Sequence, residues 1–391
     1  MTYNFNEEIN RKNTNSIKYD FAIERGKPDG ILPLWVADMD FQTPKEVMDE
    51  LIKVVNHGIF GYSEVKSDYF EVLHNWFLTH YEWDIKRQWL VKTPGIVYAL
   101  CMAIRALTKE GDGVLIQRPV YYPFSESILT NNRNLVNSPL VYKDGAYSID
   151  IEDFESKIVE NNVKLFIMCN PHNPVGRVWT KEELILMGDI CFKHNVYVVS
   201  DEIHADFIHP GHKHHTFANI KPEYENISII CTAPSKTFNL AGLQASNIFI
   251  PNKEVKKLFK AEIQKSGYSQ LNTMGLTACK AAYEYGETWL QEVKEYIFSN
   301  INYVRGFLKE HIPSLTFIEP EGTYLVWIDC SALQLTEDEL EDLIINKAGL
   351  WLDNGTMFGP EGLGFQRINV ACTRNTLEKA MNQLKTAVDS L

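Results

Sequence analysis

Three chemically capable side chains, Asn173, Asp201 and Lys236, each follow a short apolar run of the sequence. Open α/β sheets place their ligand sites at the carboxyl ends of strands. If the three runs are neighbouring strands, an amide, a carboxylate and an amine can surround one small molecule. Taken singly, each residue also has an ordinary explanation, as a turn former, a strand-end cap or a solvated surface charge. Their order along the chain favours a shared site.

The hydrophobic pattern indicates the elements that must position these residues. Short apolar, β-branched runs begin at Val114, Lys164, Val196, Ile227 and Ala245, and longer helical patterns separate them. This alternation predicts a mostly parallel sheet with helices on both faces.

Two of the intervening helices have clear start signals. The turn Thr93–Gly95 precedes a helix predicted over Val97–Leu107, whose N-terminus can face a ligand. A second helix is predicted over Lys181–Lys193, because Thr180 and Glu183 have the spacing of a capping box.

The pattern changes after about residue 283. A long amphipathic stretch over residues 289–312 is followed by two strand-like pieces and a terminal helix from Asn375. We therefore predict a large domain over residues 46–284 and a smaller α+β domain. The smaller domain combines residues 1–45 with residues 285–391.

Composition excludes several classes of protein. The 391 residues carry a net charge of -13 without any basic block, which argues against a nucleic-acid partner. The N-terminal residues lack the apolar core of a signal peptide, and no apolar run has the length of a membrane span, so we expect a cytoplasmic protein. The seven cysteines occur singly, as is typical of reduced core thiols.

A group of histidines raises the question of a metal site. His209, His212, His214 and His215 lie close together, but in a segment rich in Pro, Gly and Lys with no cysteine or carboxylate group around them. Metal sites in proteins draw on such mixed ligands. We predict no metal.

The motifs together resemble those of the fold type I pyridoxal-phosphate enzymes in the aminotransferase class I/II superfamily. The resemblance extends over nearly the whole chain and rests on Leu34–Asp38, Asn170–Gly176, Ser200–His204, Ser235–Leu243 and Arg367–Val370. Within the superfamily, the cystathionine β-lyase and cysteine-S-conjugate C–S lyase branch is the most similar, through Trp35–Phe41, Arg118–Phe124 and Asp201–His204. The resemblance implies the two-domain α/β fold of these enzymes.

The resemblance also implies roles for individual residues. Lys236 is expected to hold pyridoxal phosphate as a Schiff base and then to remove the Cα proton of the substrate. Asp201 is expected to keep the pyridine nitrogen protonated, because an opposite charge favours the ionised form. Asn173 is expected to bond the ring oxygen, and Tyr121 to stack on the ring. Tyr122 is a further candidate hydroxyl, although an aromatic core cluster is the alternative for both tyrosines.

The phosphate and the substrate carboxylate need their own partners. The amides of Ile96 and Val97 at a helix N-terminus suit the phosphate, with help from Ser235 and, as a further option, Thr232. The resemblance adds Tyr62 from a second subunit, which implies a homodimer. It assigns the substrate to Arg367, whose planar guanidinium suits a carboxylate, and to Ala37.

Two positions depart from the pattern of the relatives. Gln244 stands where many of them have an arginine that pairs with the phosphate, so cofactor affinity is expected to be lower. His204 stands where aminotransferases commonly have a tyrosine that donates to the ring oxygen. The histidine either lies near the ring and alters its electronics or supports it from behind.

The resemblance implies a C–S β-lyase that cleaves L-cystathionine or related cysteine S-conjugates to a thiol, pyruvate and ammonia. An aminotransferase is the alternative, since both reactions begin with the same Cα deprotonation. A third possibility, from a different class, is a protein that uses the fold to bind partners or regulate.

Overall fold

The computed structural model describes residues 2–391, which contain fifteen β-strands. They are β1 (Leu32–Pro33), β2 (Leu90–Thr93), β3 (Gly113–Ile116), β4 (Asn134–Asn137), β5 (Val141–Lys143), β6 (Ala146–Ser148), β7 (Val163–Cys169), β8 (Tyr197–Asp201), β9 (Ser228–Thr232), β10 (Ser246–Phe249), β11 (Thr316–Phe317), β12 (Leu325–Asp329), β13 (Leu350–Trp351), β14 (Asp353–Asn354) and β15 (Phe365–Asn369).

The same residues contain twelve α-helices. They are α1 (Lys45–His57), α2 (Ser67–Tyr81), α3 (Ile96–Leu107), α4 (Pro123–Thr130), α5 (Ile151–Glu160), α6 (Lys181–Lys193), α7 (Pro234–Thr237), α8 (Lys253–Lys265), α9 (Thr273–Tyr285), α10 (Glu287–His311), α11 (Glu337–Asp342) and α12 (Arg374–Val388). Within residues 2–391, none of these helices combines the length and the apolar character that a membrane span requires.

Seven strands form the central sheet, in the spatial order β2-β10-β9-β8-β7-β3-β4. The pairs from β9 to β4 are parallel, whereas β10 runs antiparallel to both of its neighbours. This confirms the predicted mostly parallel sheet. The register places Asp201 beside Cys169 of β7 and Cys231 of β9. The carboxyl ends of β7, β8 and β9 therefore meet at one edge.

Successive side chains of the central strands point to opposite faces of the sheet. Val199 packs in the apolar layer that contains α3 and α8, whereas Val198 packs in the layer on the other face. Because strand side chains alternate with a period of two, Asp201 points to the same face as Val199. The carboxylate thus shares the α3 side of the sheet.

The predicted helices are confirmed with small shifts at their ends. Helix α6 begins at Lys181, and both hydrogen bonds of the capping box between Thr180 and Glu183 are present. Helix α3 begins one residue before the predicted start, and α10 begins two residues before the amphipathic stretch. The capping box of α6, the strongest start signal of the three helices, therefore predicts the helix start most accurately.

The C-terminal part forms a four-stranded sheet in the order β11-β12-β15-β14. The N-terminal segment lies against this part of the chain. Strand β1 pairs in parallel with β13, and the Asn369 amide donates to the carbonyl oxygens of Val36 and Asp38, at 2.6 Å each. The exact division into residues 46–284 and the remainder stays a prediction.

Candidate active site

A cavity of about 340 Å³ lies at the carboxyl ends of β7, β8 and β9. All of the predicted site residues except Tyr62 and the further option Thr232 line it: Ala37, Ile96, Val97, Tyr121, Tyr122, Asn173, Asp201, His204, Ser235, Lys236 and Arg367. Sequence segments far apart in the chain therefore meet in one place. The role of each residue stays a prediction.

Lys236 lies in α7, a single helical turn that begins two residues after β9 ends. Its Nζ donates a hydrogen bond of 2.6 Å to the carbonyl oxygen of Ala37. Burial and then the nearby charge of Arg367 lower the pKa of the lysine to about 8, while Asp38 and Asp201 act in the opposite direction. A fraction of the amine is therefore neutral near physiological pH and can act as a nucleophile or a base.

Asp201 is the last residue of β8 and is buried. One oxygen accepts a hydrogen bond of 3.1 Å from the amide of Ile203. Burial raises the pKa of Asp201 to about 7, although this hydrogen bond and the charge of Lys236 oppose the shift. A carboxylate in this position is stabilised by any cation that enters the cavity and contacts it.

Arg367 lies in the middle of β15 and is buried, with a side-chain exposure of 6%. Its guanidinium donates to Asn173 Oδ1 at 2.8 Å and to the carbonyl oxygen of Trp35 at 3.0 Å, and it forms an ion pair with Asp353. It also lies over the ring of Phe358, 4.8 Å from the ring centre. The guanidinium is therefore held in one orientation, and its Nε has no partner among residues 2–391.

The N-terminus of α3 also lines the cavity. Gly95 precedes the helix without a side-chain cap, so the first amides, including those of Ile96 and Val97, lack intrahelical acceptors. Ser235 lines the cavity too, as does Gln244. Thr232 lies outside the lining, because its hydroxyl donates to the carbonyl oxygen of Asn247 at 2.8 Å. Helix amides and a hydroxyl thus form a site suited to an anion.

The aromatic wall contains Tyr121, Tyr122 and His204. The amide of Tyr121 donates to the carbonyl oxygen of Asn173 at 3.0 Å, and burial raises the pKa of its phenol. Burial, together with the charges of Lys236 and Arg367, lowers the pKa of His204 well below its usual value. The imidazole is therefore neutral near pH 7.

Tyr62 is separate from this cavity. It lies between α1 and α2 with 98% of its surface exposed. Its position is therefore open to contact from outside this chain.

The histidine segment has a structural use in the fold. His214 is buried, and its imidazole pairs with the Glu202 carboxylate at 2.9 Å. Glu202 also accepts hydrogen bonds from the Ser200 hydroxyl and the Phe217 amide. Across residues 2–391, no group of three or more His, Cys, Asp or Glu side chains has the arrangement to hold a metal ion.

Sequence reasoning missed several residues of the site. Asp353 is the buried partner of Arg367, Asp38 acts on Lys236, and Tyr324 donates to the carbonyl of Ala37 at 3.0 Å. Arg25 lines the cavity from the N-terminal segment. The signal for Asp353 was a lone charge directly after the apolar run Leu350–Leu352, whereas Arg25 has no comparable signal.

Comparison with known proteins agrees with this geometry. The model of the aminotransferase class I and II family matches residues 29–384. The chain belongs to this family. Cystathionine beta-lyase PatB of Bacillus subtilis (strain 168) is 42% identical over 385 residues, which cover 98% of this chain and 100% of PatB. The predicted family is therefore confirmed.

Solved structures of the family are closely similar. Cystalysin from Treponema denticola, which contains a pyridoxal 5'-phosphate cofactor, is 37% identical with a TM-score of 0.96, and the match covers all of both chains. The pyridoxal-phosphate-bound C–S lyase from Staphylococcus hominis is 35% identical with a TM-score of 0.93, covering 99% of this chain and 98% of that one. The resemblance to the C–S lyase branch is thus confirmed in both sequence and fold.

Proposed function

We propose that the protein is a pyridoxal-phosphate-dependent C–S β-lyase that acts on L-cystathionine or related cysteine S-conjugates and releases a thiol, pyruvate and ammonia. The observation that carries the proposal is the meeting of Lys236, Asp201 and Arg367 in one cavity. The relatives with lyase names, PatB and cystalysin, match nearly the whole chain.

The residues of the cavity fit pyridoxal phosphate. Asp201 is a buried carboxyl group whose pKa is raised by burial, and a cationic ring nitrogen beside it would stabilise the ionised form. The amides at the start of α3, with Ser235, suit the phosphate, and Asn173 and Tyr121 line the same cavity. Lys236 has the neutral amine needed for attachment. When bound, the cofactor withdraws electrons from the Cα of an amino acid attached to it.

Three side chains have separate roles in the proposed reaction. Arg367 binds the α-carboxylate of the substrate, oriented by Asp353 and the carbonyl of Trp35. Lys236 takes the Cα proton. Tyr122 keeps its proton, because burial raises the pKa of its phenol, and can donate a hydrogen bond at the substrate side. The β-thiolate leaves from Cβ, and hydrolysis of the remaining fragment gives pyruvate and ammonia.

The active unit in this proposal is a homodimer. An exposed apolar strip runs through α1 and the residues after it, formed by Ile52, Val55, Ile59, Phe60 and Tyr62, each more than half exposed. Exposed apolar patches of this kind mark protein interfaces. A second copy on this strip brings Tyr62 to the partner's phosphate site. The seven free cysteines suit the reducing cytoplasm, which we propose as the compartment.

A product assay tests the proposal. Purified holoenzyme is incubated with L-cystathionine, without keto acid, and pyruvate and free thiol are measured. We expect equimolar products, and none from Lys236→Ala. A requirement for an added keto acid, with a new amino acid as the product, would show an aminotransferase instead. Relatives of the chain carry both lyase and aminotransferase names, and this assay separates the two activities.

A further inference from the structure

Arg25 is a cation of the cavity wall without a counterion. Three cationic side chains line the cavity, Arg25, Lys236 and Arg367, together with the carboxylates Asp201 and Asp353. Arg367 pairs with Asp353, and Lys236 is bonded to the Ala37 carbonyl. The guanidinium of Arg25 has neither a hydrogen bond nor an ion pair within residues 2–391, and the residue is exposed. It is available to an anionic group of a ligand.

The position of Arg25 is fixed by its surroundings. Its backbone lies in a short helical turn, Ile23–Arg25, which Gly26 closes in the left-handed conformation. Its guanidinium lies over the ring of Trp35, 5.3 Å from the ring centre. Trp35 in turn stacks on Trp351 at 4.4 Å. A cation held on an aromatic face loses little entropy when it binds a ligand.

Trp35 links the two arginines of the cavity. Its ring contacts Arg25, whereas its carbonyl oxygen accepts the hydrogen bond from Arg367. Both guanidinium charges act on the phenol of Tyr122, where they oppose the increase in pKa that burial causes. Tyr122 therefore shares the cavity with a buried guanidinium and an exposed one, both near enough to act on its phenol. A ligand in this cavity can meet both positive charges.

We propose that Arg25 forms a second carboxylate subsite, which selects cysteine S-conjugates whose leaving thiol carries a carboxylate. This rests on the proposed function, in which Arg367 binds the α-carboxylate. The sulfur then lies beside Tyr122, and the leaving group extends towards the mouth. A carboxylate at the far end of the leaving group pairs with Arg25 through an exposed charge-assisted hydrogen bond.

A matched pair of substrates tests the subsite. S-(3-carboxypropyl)-L-cysteine and S-(3-carbamoylpropyl)-L-cysteine have the same shape and differ only in the distal charge. We expect kcat/KM of the wild type to favour the carboxylate about tenfold, which corresponds to about 1.4 kcal/mol. Arg25→Gln should reduce the preference to less than about twofold. Arg25→Lys should keep part of the preference for the carboxylate. Arg87 is an exposed arginine outside the cavity, so Arg87→Gln should keep the whole preference.

A binding measurement separates this proposal from the lyase function. L-2-aminosuberate and its ω-amide replace the sulfur by a methylene and have no leaving group, and their Kd values are obtained from changes in cofactor absorption. The diacid should bind the wild type about tenfold more tightly, and Arg25→Gln should abolish the difference. An absent preference in the wild type, or one unchanged in Arg25→Gln, would overturn the subsite. Absent pyruvate with the binding preference intact would overturn only the lyase function.

Discussion

Asp353 and Arg367 form a buried ion pair across two neighbouring strands, where β14 pairs with β15. Their side chains are 4% and 6% exposed, respectively. Burial raises the pKa of Asp353, and the charge and hydrogen bond of Arg367 oppose this shift. The carboxylate of Asp353 therefore depends on Arg367 to remain ionised in the core.

Removing one member of this pair should destabilise the fold strongly. We expect Asp353→Leu to lower the free energy of unfolding by about 3–5 kcal/mol, because it leaves a buried charge unpaired. The double variant Asp353→Leu/Arg367→Met should lose less than the single variant. Urea unfolding of the apoprotein measures both values. Losses that simply add would show that the two charges do not interact, and Lys45→Ala, which breaks an exposed pair with Asp49, provides the control.

The raised pKa of Asp201 predicts a pH dependence of the apoprotein. An unfolded aspartate ionises near pH 4, whereas Asp201 in the fold keeps its proton up to about pH 7. The folded state thus binds the extra proton in this window, so its stability should fall as the pH rises from about 4 to about 7. The loss is expected to be of the order of 3–4 kcal/mol.

Urea titrations of apoprotein at several pH values test this window. Asp201→Asn should remove this fall in the free energy of unfolding, since the amide does not titrate. Pyridoxal phosphate should also reduce it, because a cationic ring nitrogen stabilises the carboxylate. An identical pH profile in the wild type and Asp201→Asn would contradict the assignment.

Lys236 should be essential for cofactor attachment. Lys236→Ala is expected to lose the visible absorption of a lysine-linked cofactor and all pyruvate formation, because the amine serves both steps. Its folding should change little, since burial already lowers the pKa of this lysine. Lys256→Ala is the matched control, as burial lowers the pKa of Lys256 too, at a position outside the cavity. Retained absorption in Lys236→Ala would place the attachment elsewhere.

The central elements could be predicted because their signals are local. Alternating apolar runs and helical patterns specify a parallel α/β sheet, and in such a sheet the ends of consecutive strands must meet. Strand ends therefore indicate Asn173, Asp201 and Lys236 as candidates, and the family resemblance adds their roles. Arg367 lies mid-strand in a separate sheet, so only the family motif indicated it.

The missed residues depend on contacts between distant parts of the chain. The register of β14 against β15 places Asp353 beside Arg367. The stacking of Trp35 on Trp351 supports the ring against which Arg25 lies. Neither contact leaves a periodic signal in the sequence. The parallel pairing of β1 with β13 brings the two ends of the chain together, and propensity does not encode that pairing.

Gln244 offers a gain-of-function prediction. It lines the cavity near Ala245 and has a left-handed backbone, with φ 51°. Arginine at this position bears the same backbone cost as glutamine and adds a charge suited to a phosphate. Gln244→Arg should therefore lower the Kd for pyridoxal phosphate by about tenfold, with a dependence on salt. Equilibrium dialysis measures it, with Gln88→Arg as an exposed control. An unchanged Kd would show that the side chain at position 244 does not reach the phosphate.

The shared site can be tested by subunit complementation. If Tyr62 serves the partner's site, a chain with Tyr62→Ala and a chain with Lys236→Ala should restore one intact site when they pair. That site combines Lys236 of the first chain with Tyr62 of the second. Each hybrid dimer then carries one intact site out of two, about half of the wild-type number. Activity is measured after co-expression with two affinity tags and tandem purification, at limiting pyridoxal phosphate. If the hybrid is no more active than the mean of its two parents, Tyr62 does not act across the interface.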